Sequence, residues 1–580
     1  MTQARIQIGG YTLPEYPFVE PPELQSGEVR RYPLVIIGAG LAGLALACDL
    51  AERGVAAVVL DDDNTIGVRG ASSRGIVYAQ KTLEIMERFG IYERIRQKGA
   101  VWSVGKTLAG HDVVYEFDAG AASDSRQPPF INLQQFYLEW FMVDRIMELN
   151  HESAGGAGRR NCIDLRWKNK VAGFEQFDDH ARISIETPAG NYAIEADWVC
   201  DASGVNSPVR EILKIGMSQA RGIDRWCISD VRFKQKLPIE RWTWVEAPFN
   251  DNRAVWQHLM ADDVWRMDFQ MGPETDLDYA SRPEVAAERL RRQLGEDVEF
   301  ELVWVGPYSY RAQLIEQFRV GRTFFLGDSA HAMSPFGARG GNSGIQDADN
   351  LGWKLALVLN GQAPEALLDS YHAERRPAAQ FNIMTTRRTA RYLQPESPAE
   401  KILRDAAISL AKEYPFARHL CNTGRLSNSF LYGKPPTSRA QKHKVHDVDV
   451  GEAVQNVEFI GPNGRRMALV DLFRGNAAFV GFWSGSSGWP LSKIKESAVA
   501  IIHLANASAP LLRMLEVDSK LLGLSTVNDD AGKLAAALAM KKDRPMFCLL
   551  RPDMHLAARI EIPSAAKVKG ALQLALREGL

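Results

Sequence analysis

Closely spaced cysteines are absent from this chain of 580 residues. Its six cysteines include no Cys-x-x-Cys pair and lie far apart, at Cys48, Cys162, Cys200, Cys227, Cys421 and Cys548. This pattern argues against a disulfide framework and is typical of reduced thiols in a cytoplasm. Histidines, cysteines and carboxylates show no metal-ligand spacing either, so we expect no metal site.

Long apolar runs and a strong net charge are also missing. No stretch reaches the roughly 18 to 20 apolar residues that a membrane span needs, and the polar, proline-containing N-terminus lacks the apolar core of a signal peptide. The net charge of −2 gives no reason to expect nucleic acid or an anionic membrane as a partner. We therefore expect a soluble cytoplasmic protein, with two or three domains at this length.

Glycines are plentiful, and their first informative cluster lies in YPLVIIGAGLAGLALACDLAERGVAAVVLDDD, residues 32–63. A buried strand, a glycine turn, a helix and a second strand follow one another there. Such glycines permit a tight turn and close approach of the backbone to a pyrophosphate, while the helix N-terminus offers free N–H groups. Asp61 ends the second strand, 23 residues after Gly38, where an acid holds ribose hydroxyls; Asp62 is the alternative. The segment predicts a dinucleotide site that includes Gly38, Gly40, Leu41, Ala42 and Gly43.

A second glycine-rich segment, FLGDSAHAMSPFGARGGNSGIQDADN, spans residues 325–350. Gly327 and Asp328 follow a predicted strand, and ligands of α/β folds bind at the carboxyl ends of strands. Apolar residues at helical spacing come next, so the later glycines lie at a helix N-terminus, where backbone can press against a flat ligand. Two such sites on separate strand–helix units are explained most economically by one long cofactor, and FAD fits better than NAD.

With a third segment, DASGVNSPVR (201–210), these two segments occur in the order seen in class A FAD-dependent aromatic hydroxylases. The chain resembles this family, which includes p-hydroxybenzoate hydroxylase and phenol hydroxylase, over roughly residues 32–371. The resemblance implies an α/β Rossmann-like FAD-binding domain of the GR2 type with an inserted β-sheet substrate domain. One departure is that Ser203-Gly204 stands where the family usually has Asp-Gly, whereas Ser207 and Arg210 match.

The resemblance also implies roles for particular residues. Asp61 would hold the adenosine ribose and Asp328 the flavin ribityl chain. Arg74 would face the pyrophosphate or the incoming nicotinamide cofactor, and Gln135 would lie near the flavin phosphates. The remaining implied cofactor contacts are backbone at the pyrimidine edge (Gly340, Gly341, Asn342), a proline near the ring face and substrate (Pro335), and loop residues Gly327, Asp201, Ser203 and Gly204.

The implied reaction is the hydroxylation of a phenolic ring. NADPH or NADH, bound transiently, would reduce a tightly but non-covalently bound FAD. O₂ would then add at flavin C4a, and the hydroperoxide would transfer one oxygen ortho or para to a phenolic hydroxyl. The helix that begins near Asn342 would stabilise negative charge on reduced flavin through its N-terminus.

The substrate wall is expected from about residues 213–313, where VWRMDFQ (264–270) alternates like a strand. Candidates to bind or deprotonate a phenol are His258, Tyr308 and Tyr310, with Arg311. Pro335 completes the predicted catalytic set. Each aromatic or histidine candidate has the alternative of filling the core with a satisfied polar tip. His331, within GDSAH, is expected to make a structural hydrogen bond.

We predict an N-terminal extension (1–30), an FAD-binding domain in two parts (31–212 and 314–400) around the substrate domain (213–313), a helix and linker (401–440), and a C-terminal domain (441–580). The last resembles the thioredoxin-like domain of the phenol hydroxylase and 3-(3-hydroxyphenyl)propionate hydroxylase branch, especially in LLRPDMHLAAR (549–559). Without Cys-x-x-Cys it cannot carry out dithiol chemistry, which leaves a role in packing or in a homodimer.

Two other functions stay open. DASG and WTWVEAP (242–248) loosely match flavin-dependent halogenases, although the interior residues of the second motif differ. The third possibility is a flavin-binding scaffold without turnover, which no residue favours.

Overall fold

The computed structural model describes residues 4–8, 10–67, 77–120, 124–154, 162–421, 426–433, 448–475, 478–485, 499, 501–504, 506, 508, 511–518, 524–541 and 544–577, with backbone alone at 8, 152–154, 220–224, 310 and 419. Of the helices in this part of the chain, none combines the length and apolar character that crossing a bilayer requires.

The first sheet carries the first glycine cluster. Its strands run in the order β10-β4-β3-β13-β12-β11, and β20 pairs parallel to β13 and antiparallel to β19. Leu34 to Ile37 and Ala57 to Leu60 are buried, as expected for parallel strands covered on both faces by helices. The strands are β3 (Arg30–Ile37), β4 (Ala57–Leu60), β10 (Ile163–Arg166), β11 (Lys170–Gln176), β12 (Ala181–Thr187), β13 (Gly190–Asp201), β19 (Arg319–Val320) and β20 (Thr323–Phe325).

Three long helices position the glycine clusters against this sheet. The helix α2 (Leu41–Glu52) packs against both α5 (Gln135–Ala154) and α9 (Gly340–Leu359). Since α2 and α9 each begin at a glycine cluster, their packing brings the two clusters together. The other helices before the C-terminal region are α1 (Pro22–Ser26), α3 (Gln80–Arg88), α4 (Tyr92–Lys98), α6 (Pro208–Ile212), α7 (Leu277–Ala280), α8 (Pro283–Leu294), α10 (Asp369–Leu393), α11 (Pro398–Glu413) and α12 (Pro415–Arg418).

The second sheet has the order β21-β18-β14-β17-β16-β15-β7-β8. Two of its strands lie upstream of the predicted substrate segment, because β15 pairs parallel to β7, which forms a hairpin with β8. The helices α7 and α8 cover one face through Ala280 and Leu290. The strands are β7 (Val104–Ala109), β8 (Asp112–Asp118), β14 (Met217–Phe233), β15 (Arg241–Ala247), β16 (Arg253–Leu259), β17 (Val264–Met271), β18 (Phe300–Ile315) and β21 (His331–Ala332).

Smaller sheets connect these parts. The N-terminal extension folds into the hairpin of β1 (Arg5–Ile8) and β2 (Tyr11–Pro14). Tyr11 is buried there with its ring 4.8 Å from that of Phe136, so the extension joins the main core. A three-stranded sheet is formed by β5 (Val77–Ala79), β9 (Phe130–Asn132) and β6 (Ala100–Trp102).

The third large sheet lies in the C-terminal region, in the order β26-β25-β24-β27-β28. Its elements are β24 (Phe479–Ser484), β25 (Leu512–Val517), β26 (Thr526–Val527), α13 (Lys533–Ala537), β27 (Met546–Leu550), β28 (Leu556–Glu561) and α14 (Ala565–Leu576), preceded by the hairpin of β22 (Glu458–Ile460) and β23 (Arg466–Ala468). The turn between β27 and β28 docks on α9 and α10. Arg551 donates two hydrogen bonds, of 2.7 and 2.9 Å, to the Glu374 carboxylate, and Trp353 Nε1 lies 3.3 Å from Asp553 Oδ2.

Candidate active site

The two glycine clusters lie side by side. A Cβ added to Gly327 would stand 2.9 Å from Ala42 Cβ, and one added to Gly341 would stand 3.1 Å from Leu41 Cδ1. Gly344 approaches the Gly327 backbone in the same way, because its added Cβ would be 3.2 Å from Gly327 Cα. The start of α2 therefore touches both the segment after β20 and the start of α9. One extended ligand can contact both clusters.

In the first cluster the three glycines have different surroundings. Gly38 has φ +100°, and an added Cβ would lie 2.6 Å from Ala202 O; at Gly43 it would lie 1.9 Å from Gly38 O. These two glycines are therefore required by the fold itself. Gly40, in contrast, has ordinary φ and ψ of −83° and −172°, and its Cβ would meet no atom within 4 Å. Gly40 faces open space at the N-terminus of α2, which fits a pyrophosphate bound by free N–H groups.

Asp61 directly follows β4 and stabilises the glycine turn through hydrogen bonds. Its two carboxylate oxygens accept hydrogen bonds from the backbone N–H groups of Ala39 (2.6 Å) and Asp63 (2.9 Å). Desolvation raises the pKa of Asp61 to about 6 despite those bonds. Asp62 is exposed. The ribose role of either acid stays a prediction.

The sequence analysis missed a buried acid one helical turn after Gln135. Glu139 accepts hydrogen bonds from Gln135 Nε2 (2.8 Å) and from the Gly67 N–H (2.7 Å). A further hydrogen bond comes from the Leu41 N–H at the start of α2, and burial raises the pKa of Glu139 to about 7. The i, i+4 spacing of Gln135 and Glu139 on α5 is the signal that was available.

The DASG loop (residues 201–204) is held by hydrogen bonds among its own residues and Ser207. Asp201 is fully buried, and its carboxylate accepts hydrogen bonds from the N–H (2.9 Å) and Oγ (2.5 Å) of Ser203 and from the Ser207 hydroxyl. Burial raises the pKa of this carboxyl. Ser207 caps α6. Arg210 Nη1 donates to Ser329 O at 3.0 Å, which ties the loop to the segment that begins at Gly327 and Asp328, called the GD segment below. Because its bonds lie within the loop, Asp201 shapes the backbone, while Gly204, with φ +87°, has no atom near its Cβ position.

The GD segment is held by a buried ion network. Asp347 on α9 accepts hydrogen bonds from the Gly327 N–H (3.1 Å) and from Arg375 Nε (2.6 Å), and it pairs with His331 Nε2 at 2.6 Å. Burial by itself would raise the pKa of Asp347, but Arg375 and His331 lower it. His331 thus makes the structural bond expected of it. Asp328, next to Gly327, is exposed.

At the start of α9, only backbone groups are left for a cofactor. The Asn342 side chain is occupied by β5, since its Oδ1 accepts from the Ala79 N–H (3.0 Å) and its Nδ2 donates to Val77 O (2.8 Å). Gly340 and Gly341 have no side chains, so the first turn presents its N–H groups directly. Pro335, a few residues earlier, is half-buried. Arg74 lies outside the described residues.

One face of the second sheet is directed at the segment that follows the GD turn. The Phe336 ring lies 4.9 Å from that of Trp256 and 5.8 Å from that of Trp226, and the two tryptophan rings are 5.0 Å apart. Trp256 stands opposite Thr243 on β15 and Asp268 on β17, so alternation places Arg241 and His258 on this same face.

This face carries buried polar atoms that lack hydrogen-bond partners among the described residues. They are Trp226 Nε1, Arg241 Nε, Trp256 Nε1, His258 Nδ1 and Asp268 Oδ1. An unsatisfied buried polar group costs about 1–3 kcal/mol, so native proteins retain a cluster of them for a reason. A polar ligand that reached this wall would offer them hydrogen-bond partners.

The predicted substrate-binding residues differ in burial and in their distance from this wall. His258 is buried in the wall with Nε2 3.3 Å from Asp268 Oδ2, and burial lowers its pKa. Tyr308 is half-buried beside Trp226 on the neighbouring strand. Arg311 is exposed, and the side chain of Tyr310 is outside the described set. The sequence analysis missed Arg241, Asp268 and both tryptophans. The described residues contain no group of histidines, cysteines and carboxylates able to hold a metal ion.

Comparison with known proteins places this geometry in a family. A family model described as "FAD binding domain" matches residues 31–386. Anhydrotetracycline monooxygenase of Streptomyces rimosus is 31% identical over 396 residues, which are 66% of this chain and 73% of that protein. A 3-(3-hydroxy-phenyl)propionate/3-hydroxycinnamic acid hydroxylase of Klebsiella pneumoniae subsp. pneumoniae is 25% identical over 569 residues, 96% of both chains.

Solved structures share the fold. The flavin-dependent monooxygenase PieE, in complex with FAD and substrate, has a TM-score of 0.75 at 20% identity and covers 94% of this chain and 99% of its own. Aklavinone-11 hydroxylase, in complex with FAD and aklavinone, has a TM-score of 0.70 at 20% identity, with 95% and 100% covered. The relatives named here are monooxygenases and hydroxylases, which favours hydroxylation over the halogenase alternative. The chain belongs to the FAD-binding-domain family of class A flavin-dependent monooxygenases, and FAD is its cofactor.

Proposed function

We propose that the protein hydroxylates a phenolic compound bound beside Phe336 at the aromatic face of the second sheet, with NADPH or NADH and O₂ as co-substrates. FAD, when bound, supplies the activation of O₂ and the transfer of one oxygen atom to the ring. The observation that carries this proposal is the set of partnerless polar atoms on the aromatic wall, which includes Trp226, Trp256 and His258.

For the cofactor, we propose that the N-terminus of α2 at Gly40, Leu41 and Ala42 binds the pyrophosphate, with Gln135 nearby. Asp61 would hold the ribose and Asp328 the ribityl chain. The first N–H groups of α9 would face the pyrimidine edge of the flavin and stabilise its negative charge when reduced. The open space at Gly40 and the exposure of Asp328 support this assignment.

For the substrate, we propose that His258 accepts the hydrogen bond of the phenolic hydroxyl. Its Nε2 faces Asp268 Oδ2, which favours the tautomer with the proton on Nε2 and leaves Nδ1 as an acceptor. A lowered pKa keeps the imidazole neutral at pH 7, the state in which it can draw the phenolic proton. Loss of that proton increases the electron density of the ring at its ortho and para carbons.

The aromatic side chains would hold the ring and exclude water. Trp226, Trp256 and Phe336 are almost completely buried and meet at stacked and edge-on angles. Flat apolar surfaces of this kind bind an aromatic ring and keep water from the reacting atoms.

The test is a panel of phenols and hydroxybenzoates offered to the purified FAD-bound protein. An accepted substrate should accelerate NADPH or NADH oxidation, and the product mass should increase by one oxygen atom. His258→Gln should lower kcat about 10²- to 10⁴-fold with FAD content unchanged, whereas the exposed control His151→Gln should behave like the wild type. Unchanged turnover of His258→Gln would refute the role of His258. Product formed only with chloride and a separate reductase would indicate a halogenase, and no turnover at all a scaffold.

We also propose that the C-terminal region, residues 441–580, is a thioredoxin-like domain. The order β25-β24-β27-β28 supports this, with β25 parallel to β24, β27 and β28 antiparallel, and α14 at the end. The FAD-binding domain would comprise 31–212 and 314–400, and the substrate domain 213–313 together with β7 and β8.

For assembly, we propose a homodimer. Large apolar side chains are exposed on and beside α11 and α12, among them Ile402 (70%), Leu403 (72%) and Phe416 (70%). An exposed apolar patch is typical of a protein–protein contact. Light scattering during gel filtration should give twice the mass of one chain, and Leu403→Asp should reduce it to one; a wild-type monomer would exclude the dimer.

A further inference from the structure

Arg241 differs from the other buried arginines. It is 6% exposed, at the start of β15, and its buried Nε has no hydrogen-bond partner among the described residues. Its principal contact is the Trp256 ring, with Cζ 5.5 Å from the ring centroid. Each of the other arginines buried to this degree donates to a carboxylate, carbonyl or amide oxygen.

A buried cation without a hydrogen-bond acceptor is costly, because it has lost most of its hydration and the contact with the Trp256 ring replaces only part of it. Burial lowers the pKa of Arg241 to about 10, which still leaves the guanidinium charged at pH 7. In the folded protein, the wall therefore carries a positive charge that has no anionic partner among the described residues. Function at this position explains its retention better than stability does.

None of the described residues offers Arg241 a carboxylate within ion-pair range. On β16 it stands beside His258, whose pKa it helps to lower, and on β7 it pairs with Gly105, where the Phe117 ring occupies the space that a side chain would take. Asp268 on β17 attracts Arg241 from a distance, but its near contact is with His258. Asp230, on the same face of β14, is paired with Arg266.

We propose that Arg241 binds a carboxylate of the substrate, so that the compound hydroxylated is a hydroxylated aromatic acid rather than a neutral phenol. The inference depends on the proposed function, since it assigns the substrate class of that same site. A guanidinium presents paired N–H donors that match a carboxylate, and the flat Trp256 ring beneath Arg241 holds it in a fixed orientation. His258, on the next strand, is left to the phenolic hydroxyl.

The test compares binding of matched acids and amides to the FAD-bound protein without NADPH or NADH. The probes are 3-hydroxybenzoate and 3-(3-hydroxyphenyl)propanoate, each against its primary amide, with the flavin absorbance change as the readout. The wild type should bind the acids about ten- to a hundredfold more tightly than the amides. Arg241→Gln should remove that preference by weakening acid binding alone, and Arg241→Lys should restore part of it.

Several outcomes would overturn the inference. Equal wild-type affinity for acid and amide would do so, and so would equal weakening of both by Arg241→Gln, which indicates a structural role. An affinity that increases between pH 6 and 8 for acid and amide alike, with no preference for the acid, would point to recognition of the phenolate, because both probes carry the phenol and the carboxylate is already ionised throughout that range. If Arg241→Gln fails to retain FAD, the wild-type and Arg241→Lys comparisons still decide the question.

The binding test is separate from that of the proposed function. Hydroxylation of neutral phenols with no preference for acids would leave the function standing and refute the role of Arg241. An acid preference lost in Arg241→Gln, without hydroxylation of any probe, would support Arg241 and refute the function.

Discussion

Replacing Gly40 with alanine should weaken FAD binding while the protein still folds. Its φ of −83° is accessible to alanine, and the added Cβ meets no atom within 4 Å. Because Gly40 is the residue before the first turn of α2, the change to alanine should cost the protein only about 0.5–1 kcal/mol of stability. The open space that the methyl group enters is the space assigned to the pyrophosphate.

The loss of affinity can be estimated from that geometry. A methyl group forced into a filled site costs about 1–3 kcal/mol. Since 1.4 kcal/mol corresponds to a tenfold change, Gly40→Ala should raise the FAD Kd by about 5- to 150-fold.

The assay is the quenching of FAD fluorescence during titration of apoprotein, with thermal unfolding measured in parallel. Gly570→Ala is the matched control, because its added Cβ also meets nothing within 4 Å but lies far along the chain, on α14. Gly43→Ala should fail differently, by misfolding, since its Cβ would lie 1.9 Å from Gly38 O. If Gly40→Ala binds FAD as tightly as the wild type, the pyrophosphate does not lie against Gly40 and the assignment of the cradle is wrong.

Three further predictions concern buried charges. Glu139 has a folded pKa of about 7 against 4.5 for the free group, so the stabilisation from its proton declines as pH rises between those values. Relative to Glu139→Gln, the wild type should lose up to about 3 kcal/mol of unfolding free energy from pH 4.5 to 7.5, measured by urea titration. A difference between the two proteins that stays constant with pH would contradict the shifted pKa. Arg375→Met leaves Asp347 with His331 and the Gly327 N–H alone, and should cost about 3–5 kcal/mol with loss of FAD, measured by thermal unfolding and flavin content; retained FAD and an unchanged Tm would argue against the network. Arg551→Met removes the contact of the β27–β28 turn with Glu374, which keeps Lys354, and should release the C-terminal region to limited proteolysis, whereas an unaltered cleavage pattern would show that other contacts hold it.

The backbone framework of the proposed cofactor site was largely predictable because it is built from contiguous residues. Gly38, Gly40 and Gly43 lie within one strand–turn–helix unit, and the conformational demands on each act within a few residues. The same holds for the GD segment, where Gly327 follows directly on a strand. Even here, the hydrogen-bond partners of the side chains could be read only from the structure. Asp201 bonds within its own loop, and the Asn342 amide is occupied by β5.

The substrate wall was less predictable. Its middle strands could be recognised from alternation, but β7 and β8 join the same sheet from more than a hundred residues upstream of β15, and nothing in their pattern names their partners. Arg311, a candidate by position, is exposed, while Arg241 was not noticed. Alternation indicates which residues of one strand share a face, but not which face becomes buried.

The amino-acid sequence alone determined the cofactor, because glycine turns that accept phosphate depend on local backbone geometry. The tertiary structure decided which side chains line the proposed substrate wall. Arg241, His258 and Trp226 come from three strands, and only the register between those strands brings their side chains onto one wall. Whether a buried charge has a partner is a property of the neighbours that the fold assembles around it, and for Arg241 the described neighbours supply the Trp256 ring but no carboxylate within ion-pair range.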